Sequence, residues 1–385
     1  MPYLKVLMIS GEYPPARGGI GRYTDNLVKA IRNYAEVIVA CAQSNVTNDK
    51  NVYSIIQAGD YRNSERILSL IKEFRPDIVH VQYEPLFYDR WKQTIFGVRP
   101  RSSTLQNFYH SSDVPVVTTA HSIFPYPEFE EFFDSKINRR GGRFEFLPLS
   151  FRIYVRKWYL RKSYDSLLRI TKFSKHFINL NKATQDIIGH GRLIYIGSAP
   201  AFTFAVDKQK LREELGLPPD KMLLLAFGFA THFKGFDILN DITMPKGWAL
   251  VVKQTPRAEK PIPIQNAINL SFDYLDEQGL SKLFFACDAM IFPRKIASGS
   301  GVLFDALAHG LPFVATNLTF FREFAELGLG VVAERNPESF NKAIEQLASN
   351  YSKFVENVEQ FKPQLTWDTV AKKHIEVYSD LISNN

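Results

Sequence analysis

The chain has 385 residues, a hydrophobic fraction of 45% and a formal net charge of +7. The length predicts two domains of ordinary size, the apolar content excludes a disordered chain, and the positive charge favours an anionic partner. The two cysteines, Cys41 and Cys287, are too few for a disulfide framework or a cysteine metal site. No apolar run reaches the roughly 18–20 residues that span a bilayer. We therefore expect a cytoplasmic protein, with peripheral contact at the inner face of the membrane as the further expectation.

A strand and a glycine-rich loop open the chain. Residues 3–10 have the apolar character of a first strand and lack the cleavage-site pattern of a signal peptide. Gly18, Gly19 and Gly21 follow, and a helix is predicted over residues 22–33. These glycines stand too close together for the dinucleotide fingerprint. Two interpretations stay open: the loop admits the phosphate or sugar of a ligand, or it forms a tight turn.

Strands and helical segments alternate through the first half of the chain. Strands are predicted at residues 36–41, 78–82 and 114–120, with a helix at 67–74. This alternation predicts an α/β fold with a mostly parallel sheet. Tyr83 and Glu84 follow one strand and His121 follows the next, at the sheet edge where such folds bind ligands. Each side chain is a candidate substrate contact, and a purely structural role is the alternative.

The most basic part of the chain is residues 136–175. Twelve lysines and arginines there face only Glu145 and Asp165, and aromatic and aliphatic residues are interleaved with them. This composition suits a segment that lies on an anionic membrane surface. It also suits an ordinary basic helix whose aromatic residues enter the core. Nucleic-acid binding is a third interpretation, which the absence of any RNA- or DNA-binding motif disfavours.

The second half of the chain repeats the α/β pattern after a boundary near residues 197–204. Strands are predicted at residues 193–196, 222–227, 248–252, 268–272, 289–292 and 313–316. Helices are predicted at residues 208–215, 278–286, 302–308, 337–349 and 367–382, with a further helix beginning near Phe236. The predicted domains are residues 1–198, together with the terminal helix 366–385, and residues 199–365.

The most informative stretch of the second half is residues 289–316. A buried strand leads into the small-residue loop 297–301, which opens a helix, and such a loop presents backbone N–H groups to a phosphate. Asp305 lies about one turn into that helix, where a carboxylate suits ribose hydroxyls. Lys234 stands in an earlier loop, placed to meet a phosphate. Gly/Ser loops before helices are common in α/β folds and surface lysines are common everywhere, so structural roles are the alternatives.

The order of these motifs resembles the GT-B glycosyltransferases, specifically glycosyltransferase family 4. The proline-rich loop with Gly18 and Gly19 resembles the family's opening motif, and residues 119–121 (Thr-Ala-His) resemble its strand-ending motif. Gly228 with Lys234-Gly235 matches the motif that begins the family's second domain, and residues 305–312 match its donor-site helix. The resemblance spans nearly the whole chain and implies an α/β GT-B architecture. In that architecture two Rossmann-like domains with mostly parallel sheets face each other across a cleft.

The resemblance also implies roles for single residues. The C-terminal domain would bind a UDP- or GDP-sugar and the N-terminal domain the acceptor, with Tyr83 and Glu84 as our candidate acceptor contacts. Lys234 would neutralise the leaving phosphate and His121 would contact the transferred sugar. The other expected donor contacts are Gly18 and Gly19 near the phosphates or sugar, Gly299, Ser300, Gly301 and Val302 at the diphosphate, Asp305 at the ribose, and Tyr274 and Leu275 at the base. Family 4 enzymes retain the anomeric configuration by same-face attack and need no metal or other cofactor.

Two departures from the family pattern affect this expectation. The family's paired glutamates are replaced by Ala297 and Asp305, and the basic residue expected after Gly228 is Phe229. The cations that would substitute for that residue are His232, Lys253, Arg294 and Lys295, of which Lys295 is nearest in sequence to the phosphate loop. We expect a retaining transferase whose acceptor is a lipid-linked saccharide or other glycoconjugate. The alternative is a non-catalytic nucleotide-sugar-binding or partner subunit.

Overall fold

A computed structural model describes residues 4–43, 48–94, 97–138, 148–202, 207–256 and 260–383. The chain forms two compact units, Met1–Ile196 with Trp367–Asn385 and Gly197–Thr366. Residue 3 of the predicted first strand, residues 139–147 of the basic segment and residues 203–204 of the predicted boundary lie outside the described residues.

The first unit is built on a parallel sheet with the strand order β3-β2-β1-β4-β7-β8-β9. The strands are β1 (Leu4–Ser10), β2 (Ala35–Ala42), β3 (Val52–Ile56), β4 (Ile78–Tyr83), β7 (Val116–Ala120), β8 (His176–Asn179) and β9 (Arg192–Leu193), and a separate antiparallel hairpin comprises β5 (Asp89–Thr94) and β6 (Gly97–Ser103). The central strands β1 and β4 are largely buried because helices cover both faces of the sheet.

The helices of the first unit before its terminal helix have the following bounds. They are α1 (Gly19–Ile31), α2 (Asn63–Phe74), α3 (Pro85–Tyr88), α4 (Gln106–Ser111), α5 (Tyr126–Asn138), α6 (Leu149–Leu167) and α7 (Lys182–Ile188). Helix α1 packs its apolar face, which includes Leu27 and Ile31, against one face of the sheet. Helix α2 packs Ile67 and Ile71 against the opposite face, so the sheet is covered on both sides.

The second unit has a parallel sheet with the order β12-β11-β10-β13-β14-β15. Its strands are β10 (Met222–Phe229), β11 (Trp248–Thr255), β12 (Ile268–Asn269), β13 (Ala289–Phe292), β14 (Phe313–Thr316) and β15 (Gly330–Ala333). Its helices are α8 (Lys208–Glu214), α9 (Glu277–Ala286), α10 (Gly301–Ala308), α11 (Thr319–Glu326), α12 (Pro337–Ser349) and α13 (Tyr351–Phe361).

The terminal helix α14 (Trp367–Ser383) belongs to the first unit. Its buried residues Val370, Ala371 and Tyr378 join the same apolar cluster as Leu27 and Ile31 of α1. The polar end of Tyr378 is also used, because its hydroxyl lies 2.6 Å from Nδ1 of His80 on β4. The helix therefore contributes both apolar packing and a buried polar contact to the first unit.

The structure corrects several predicted elements. The segment after Gly235 is a 3-10 helix, Phe236–Asp241, in place of the predicted α-helix. The strand predicted at residues 193–196 is reduced to β9, Arg192–Leu193. Lys253, predicted at the end of its strand, lies inside the longer strand β11. Strand β3 and the β5–β6 hairpin were not predicted: β3 is a short run of five residues, and the hairpin strands are polar and alternate weakly.

Both sheets reverse their strand order at one point. The reversal lies between β1 and β4 in the first unit and between β10 and β13 in the second. In open parallel sheets the crevice outside the carboxyl ends of the strands at such a point is the usual ligand site. The loops that follow these four strands are therefore the places in which to look for chemistry, one pair in each unit.

Candidate functional site

In the second unit, the turn after β10 holds Lys234 against a glycine. Gly228 has a φ of +146°, and a Cβ on it would lie 2.9 Å from the Nζ of Lys234. A side chain at position 228 would therefore meet both backbone strain and the lysine ammonium. The glycine and the lysine of this motif depend on each other sterically, which explains their spacing.

The same turn is joined to the loop after β13. The backbone N–H of Lys295 donates to the carbonyl oxygen of Phe233 at 3.0 Å. Gly235 has a φ of +71°, and a Cβ there would lie 1.9 Å from the carbonyl oxygen of Pro293. Only glycine allows this approach. The Lys234 turn and the loop that leads to α10 thus form one continuous surface at the strand reversal of the second sheet.

The predicted phosphate loop ends in a capped helix. The Oγ of Ser300 accepts from the backbone N–H of Leu303 at 3.3 Å and so caps α10. A Cβ added to Gly299 or Gly301 would meet no heavy atom within 4 Å. Val302 is half-buried in the first turn of the helix. The loop therefore has open space at its two glycines, next to a helix N-terminus.

Asp305 is buried inside the second unit, with 4% of its surface exposed. Its Oδ1 accepts a hydrogen bond of 2.6 Å from the hydroxyl of Ser198, which is also buried. Ala297, at the position of the family's first glutamate, is 3% exposed. A ribose hydroxyl at Asp305 would have to take the place that the Ser198 hydroxyl occupies here.

Of the cations proposed to replace the missing basic residue, Lys253 is the one that the structure rules out. Its side chain is 1% exposed, and its ammonium donates to the carbonyl oxygens of Ser271 and Asp273, the latter at 2.6 Å. Burial lowers the pKa of this lysine. The N–H groups of its ammonium hold the backbone of the segment after β12, so Lys253 has a structural role inside the unit.

Lys295 lies at the loop and is paired with a carboxylate that it shares with a second cation. Its Nζ is 3.2 Å from Oδ2 of Asp237 and 3.4 Å from Nδ1 of His232. The second carboxylate oxygen of Asp237 accepts from Arg335 at 2.7 Å. Asp237 thus compensates two cations beside the Lys234 turn.

Arg294, the residue before Lys295, is placed differently. Its guanidinium donates to the Oγ of Ser300 at 2.8 Å and approaches the carbonyl oxygen of Gly299 at 3.5 Å. It also lies over the ring of Phe321, 6.0 Å from the centroid. Burial lowers its pKa to about 10. Within the described part of the chain, no carboxylate forms an ion pair with Arg294.

The residues predicted to border the base begin the segment before α9. Tyr274 is 51% exposed and Leu275 is half-buried. Asp276 caps α9 by accepting from the N–H of Gly279 at 2.7 Å. Tyr274 thus exposes part of an aromatic ring to solvent, and stacking on an aromatic ring is the contact expected for a base.

In the first unit, the glycine loop is filled by the protein's own carboxylate. The Oε2 of Glu12 accepts from the N–H of Gly21 at 2.9 Å, and a Cβ on Gly18 would lie 1.6 Å from the Oε1 of Glu12. A Cβ on Gly19 would meet no heavy atom within 4 Å. The space left by the missing side chain of Gly18 is therefore occupied by the Glu12 carboxylate. The predicted donor approach at Gly18 would have to displace this carboxylate, whereas Gly19 is open.

His121 is held by a chain of polar groups on neighbouring strands. Its Nε2 lies 2.9 Å from Oε1 of Gln82, and the amide nitrogen of Gln82 lies 3.2 Å from Nε2 of His80. The ring also meets Tyr23 edge-on, with the centroids 5.6 Å apart. Burial lowers the pKa of His121 to about 3. The imidazole is therefore neutral at physiological pH and donates from Nε2 to the Gln82 oxygen.

Glu84 and Tyr83 have different environments at the same edge. The Glu84 carboxylate accepts from the Ser122 hydroxyl, and burial raises its pKa to about 7. Tyr83 is 1% exposed, and its hydroxyl donates to Oδ1 of Asp89 at 2.9 Å. The ring of Tyr83 belongs to the apolar core, so the predicted acceptor contact through this side chain does not fit its burial. Glu84 keeps that candidacy.

Sequence reasoning missed the groups that support the predicted ones. Glu12, Gln82 and Ser122 each contact a predicted residue or its loop, and each lies at or just beyond the carboxyl end of β1, β4 or β7. That shared position was the available signal, because the three strands are neighbours in the sheet. In the described residues no group of three His, Cys, Asp or Glu side chains is arranged to hold a metal ion.

Comparison with family models places this chain among known proteins. The model described as Glycosyltransferase Family 4 matches residues 17–191, and the model described as Glycosyl transferases group 1 matches residues 257–350. The chain belongs to glycosyltransferase family 4. No curated protein matches the sequence of this family 4 member.

Solved structures give the fold of this family 4 chain. Sucrose-phosphate synthase from Thermosynechococcus elongatus is 14% identical with a TM-score of 0.71, and the match covers 99% of this chain and 100% of that one. HepE from Anabaena, solved with UDP-glucose, is 14% identical with a TM-score of 0.66 over 98% of this chain and 100% of its own. WaaG, a glycosyltransferase involved in lipopolysaccharide biosynthesis, is 16% identical with a TM-score of 0.60 over 97% and 99%. The fold is GT-B.

Among the residues that the structure describes, no helix combines the length and the apolar character that a bilayer span requires.

Proposed function

We propose that this chain is a retaining glycosyltransferase that moves a sugar from a nucleotide-diphosphate sugar to an acceptor hydroxyl without a metal. The observation that carries the proposal is the second unit's strand reversal, where the Lys234 turn is hydrogen-bonded to the loop that opens α10. A cation beside a helix N-terminus is the arrangement that favours a diphosphate. The complex of HepE with UDP-glucose, in the same fold, supports a nucleotide sugar as the donor.

The proposed reaction follows from the charges of these groups. The bond between the sugar carbon and the diphosphate oxygen breaks, the acceptor oxygen bonds to that carbon on the same face, and the acceptor proton passes to the leaving diphosphate. Lys234 stabilises the charge that grows on the leaving group. Neutral His121 would contact the transferred sugar. The diphosphate would contact the loop residues Gly299, Ser300, Gly301 and Val302, with Lys295 beside this loop. The ribose would contact Asp305, and the base would contact Tyr274 and Leu275.

The first test is a thermal-unfolding panel of UDP- and GDP-sugars on the wild type and on Asp305→Asn. A ligand that binds only the folded state raises the unfolding temperature, with about 2.7 kcal/mol of added stability at a hundred times its Kd. We expect one nucleotide class to raise the temperature and Asp305→Asn to reduce that rise. The absence of any shift with every donor would contradict the donor site.

The second candidate function is a nucleotide-sugar-binding subunit without transfer activity. Buried Ala297, in place of the family's first glutamate, and Phe229, in place of a basic residue, favour it. A donor that stabilises the protein but is neither hydrolysed nor transferred in the presence of membrane extract would support this candidate. Turnover of the donor would exclude it.

For the acceptor we propose a lipid-linked saccharide at an anionic membrane surface. The first half of α6 exposes apolar side chains, among them Leu149 (64%), Tyr154 (67%) and Trp158 (50%), and the same stretch carries Arg152 and Lys157. Exposed aromatic residues among cations suit an interface of headgroups and acyl chains.

A cavity of 290 Å³ opens in the same unit, beside the ends of β1 and β4. It is lined by Gly11, Glu12, Ala16, Ala42, Ile56, Ala58, Leu86 and Phe87.

Liposome flotation tests the membrane proposal. We expect the wild type to float with phosphatidylglycerol vesicles at low salt and less with phosphatidylcholine vesicles, because anionic headgroups attract the basic helix. Tyr154→Ser with Trp158→Ser should abolish flotation, and Tyr61→Ser, another exposed aromatic residue of the first unit, is the control. Equal flotation of both variants, or no flotation of the wild type, would remove the membrane from the proposal.

A further inference from the structure

The basic residue expected after Gly228 is absent, and the structure distinguishes the candidates for its replacement. Lys253 is buried and donates to two carbonyl oxygens of its own unit. Lys295 pairs with Asp237, which also compensates Arg335. Lys253 is therefore used inside its own unit, and Lys295 already has a carboxylate partner beside the loop.

Arg294 differs from both. It is attached to the phosphate loop through Ser300, the residue that caps α10, and through the carbonyl oxygen of Gly299. Its Nε is buried and has no hydrogen-bond partner among the described residues. Among the same residues no carboxylate pairs with its guanidinium. A half-buried cation whose Nε is buried without a partner is costly to desolvate, and an anion bound nearby reduces that cost.

We propose that Arg294 is the second cation of the diphosphate site. It takes over the role of the family's basic residue, whose position is occupied here by Phe229. This inference rests on the proposed donor site of the same unit. The chemical class of ligand is a diphosphate, either inorganic pyrophosphate or the diphosphate of a nucleotide sugar. Lys234 approaches this ligand from the β10 turn, and Arg294 approaches it from the loop after β13, so the two cations come from the two strands at the reversal.

A structural role for Arg294 predicts a different result from a charge role. If the guanidinium only braces Ser300, any donor of a hydrogen bond at position 294 serves. If it supplies charge, a cation is required there. Arg294→Gln keeps a hydrogen-bond donor and removes the charge, and Arg294→Lys keeps the charge and removes the planar fork. Ser300→Ala removes the brace and leaves the arginine in place.

Titration calorimetry with inorganic pyrophosphate, UDP and GDP tests the proposal on the intact protein. We expect Arg294→Gln to weaken diphosphate binding at least about tenfold and Arg294→Lys to lie between it and the wild type. Ser300→Ala should lose less than Arg294→Gln. Arg322→Gln, an exposed arginine on α11, is the control and should bind as the wild type does. Circular dichroism confirms that each variant is folded.

The outcomes separate this inference from the proposed function. Equal binding by the wild type and Arg294→Gln, or equal losses in the Gln and Lys variants, would overturn the role of Arg294 and leave the donor site standing. Arg294-dependent binding of pyrophosphate without any sugar transfer would support the inference and contradict the transferase. No binding of pyrophosphate or nucleotide by the wild type would overturn both.

Discussion

The two sheets of this chain have the same parallel design but opposite chemistry at their reversal points. In the second unit the loops after β10 and β13 carry cations, among them Lys234, Arg294 and Lys295, with Asp237 as a counter-ion. In the first unit the ends of β1 and β4 carry Glu12 and Glu84 instead. His121, at the end of the neighbouring strand β7, is held neutral, because burial lowers its pKa to about 3.

The two sheets share a topology, and the residues beyond the strand ends give each reversal its own charge. Both units have glycines at these places, but they serve different purposes. Gly18 makes room for the Glu12 carboxylate, whereas Gly228 makes room for the Lys234 ammonium. The second reversal thus carries ammonium and guanidinium groups, and the first carries carboxyl groups.

The largest expected effect is at Lys234. We expect Lys234→Met to lower the rate of sugar transfer by about 10²–10³-fold, because removal of one group that stabilises transition-state charge has an effect of this size. Steady-state kinetics with the identified donor gives the measurement. Lys282→Met, an exposed lysine paired with Glu214 in the same unit, is the matched control. A loss of less than about threefold would show that charge on the leaving group is stabilised elsewhere.

Glu84, at the end of β4, predicts an effect of pH on the free energy of unfolding. We expect this effect to be somewhat smaller than that of Lys234→Met on the transfer rate. Burial raises the pKa of Glu84 from 4.5 to about 7, so between these values the folded chain binds a proton that the unfolded chain has released. The contribution of Glu84 to stability therefore falls as the pH rises through this window. Glu84→Gln removes this dependence, and its stability relative to the wild type should rise by at most about 3 kcal/mol between pH 4.5 and pH 7.

Denaturant unfolding at several pH values measures the effect of Glu84→Gln. The buried histidines also titrate, but they are common to both proteins and cancel in the difference. Glu131→Gln, on the exposed side of α5, is the matched control for a glutamate-to-glutamine substitution. A constant difference between Glu84→Gln and the wild type would mean that the carboxylate is ionised in the folded chain.

The sequence predicted the second site better than the first, for a physical reason. Strands β13 and β14 and helix α12 have the predicted bounds, and α10 begins one residue before its prediction. Apolar strands, a small-residue loop, Gly310 and Pro312 are all local signals in this stretch. Lys234 and the α10 loop were identified by family motifs that are themselves short and contiguous.

The contacts of the first site are non-local, and no pattern in one segment reveals them. Gln82 and His121 are 39 positions apart, and their contact depends on the pairing of β4 with β7. Tyr83 and Glu84 are consecutive, yet one is in the core and the other faces Ser122. The environment of Arg294 could not be predicted from the sequence either. The neighbouring Lys295 has the same charge, and the two differ because Asp237 pairs with Lys295.

The smallest expected effect is on the free energy of unfolding when Gly18 in the glycine loop is replaced. This substitution tests whether the glycine is needed to make room for the Glu12 carboxylate. Gly18 has a φ of −121°, which any residue adopts, so Gly18→Ala introduces only the contact with Glu12. The alanine should displace the Glu12 carboxylate from the Gly21 N–H and destabilise the chain by about 1–2 kcal/mol. Gly19→Ala meets no atom within 4 Å and should stabilise the first turn of α1 slightly, because alanine is the better helix former.

A double-mutant cycle with Glu12→Ala completes this test. Once the carboxylate is gone, Gly18→Ala should cost nothing, so the two substitutions should be strongly non-additive in the free energy of unfolding. Additive effects would show that the loop has another use for Gly18. If Gly18→Ala left stability unchanged but weakened donor binding, the glycine would serve a ligand phosphate after all. The two glycine motifs would then differ less than the charges around them indicate.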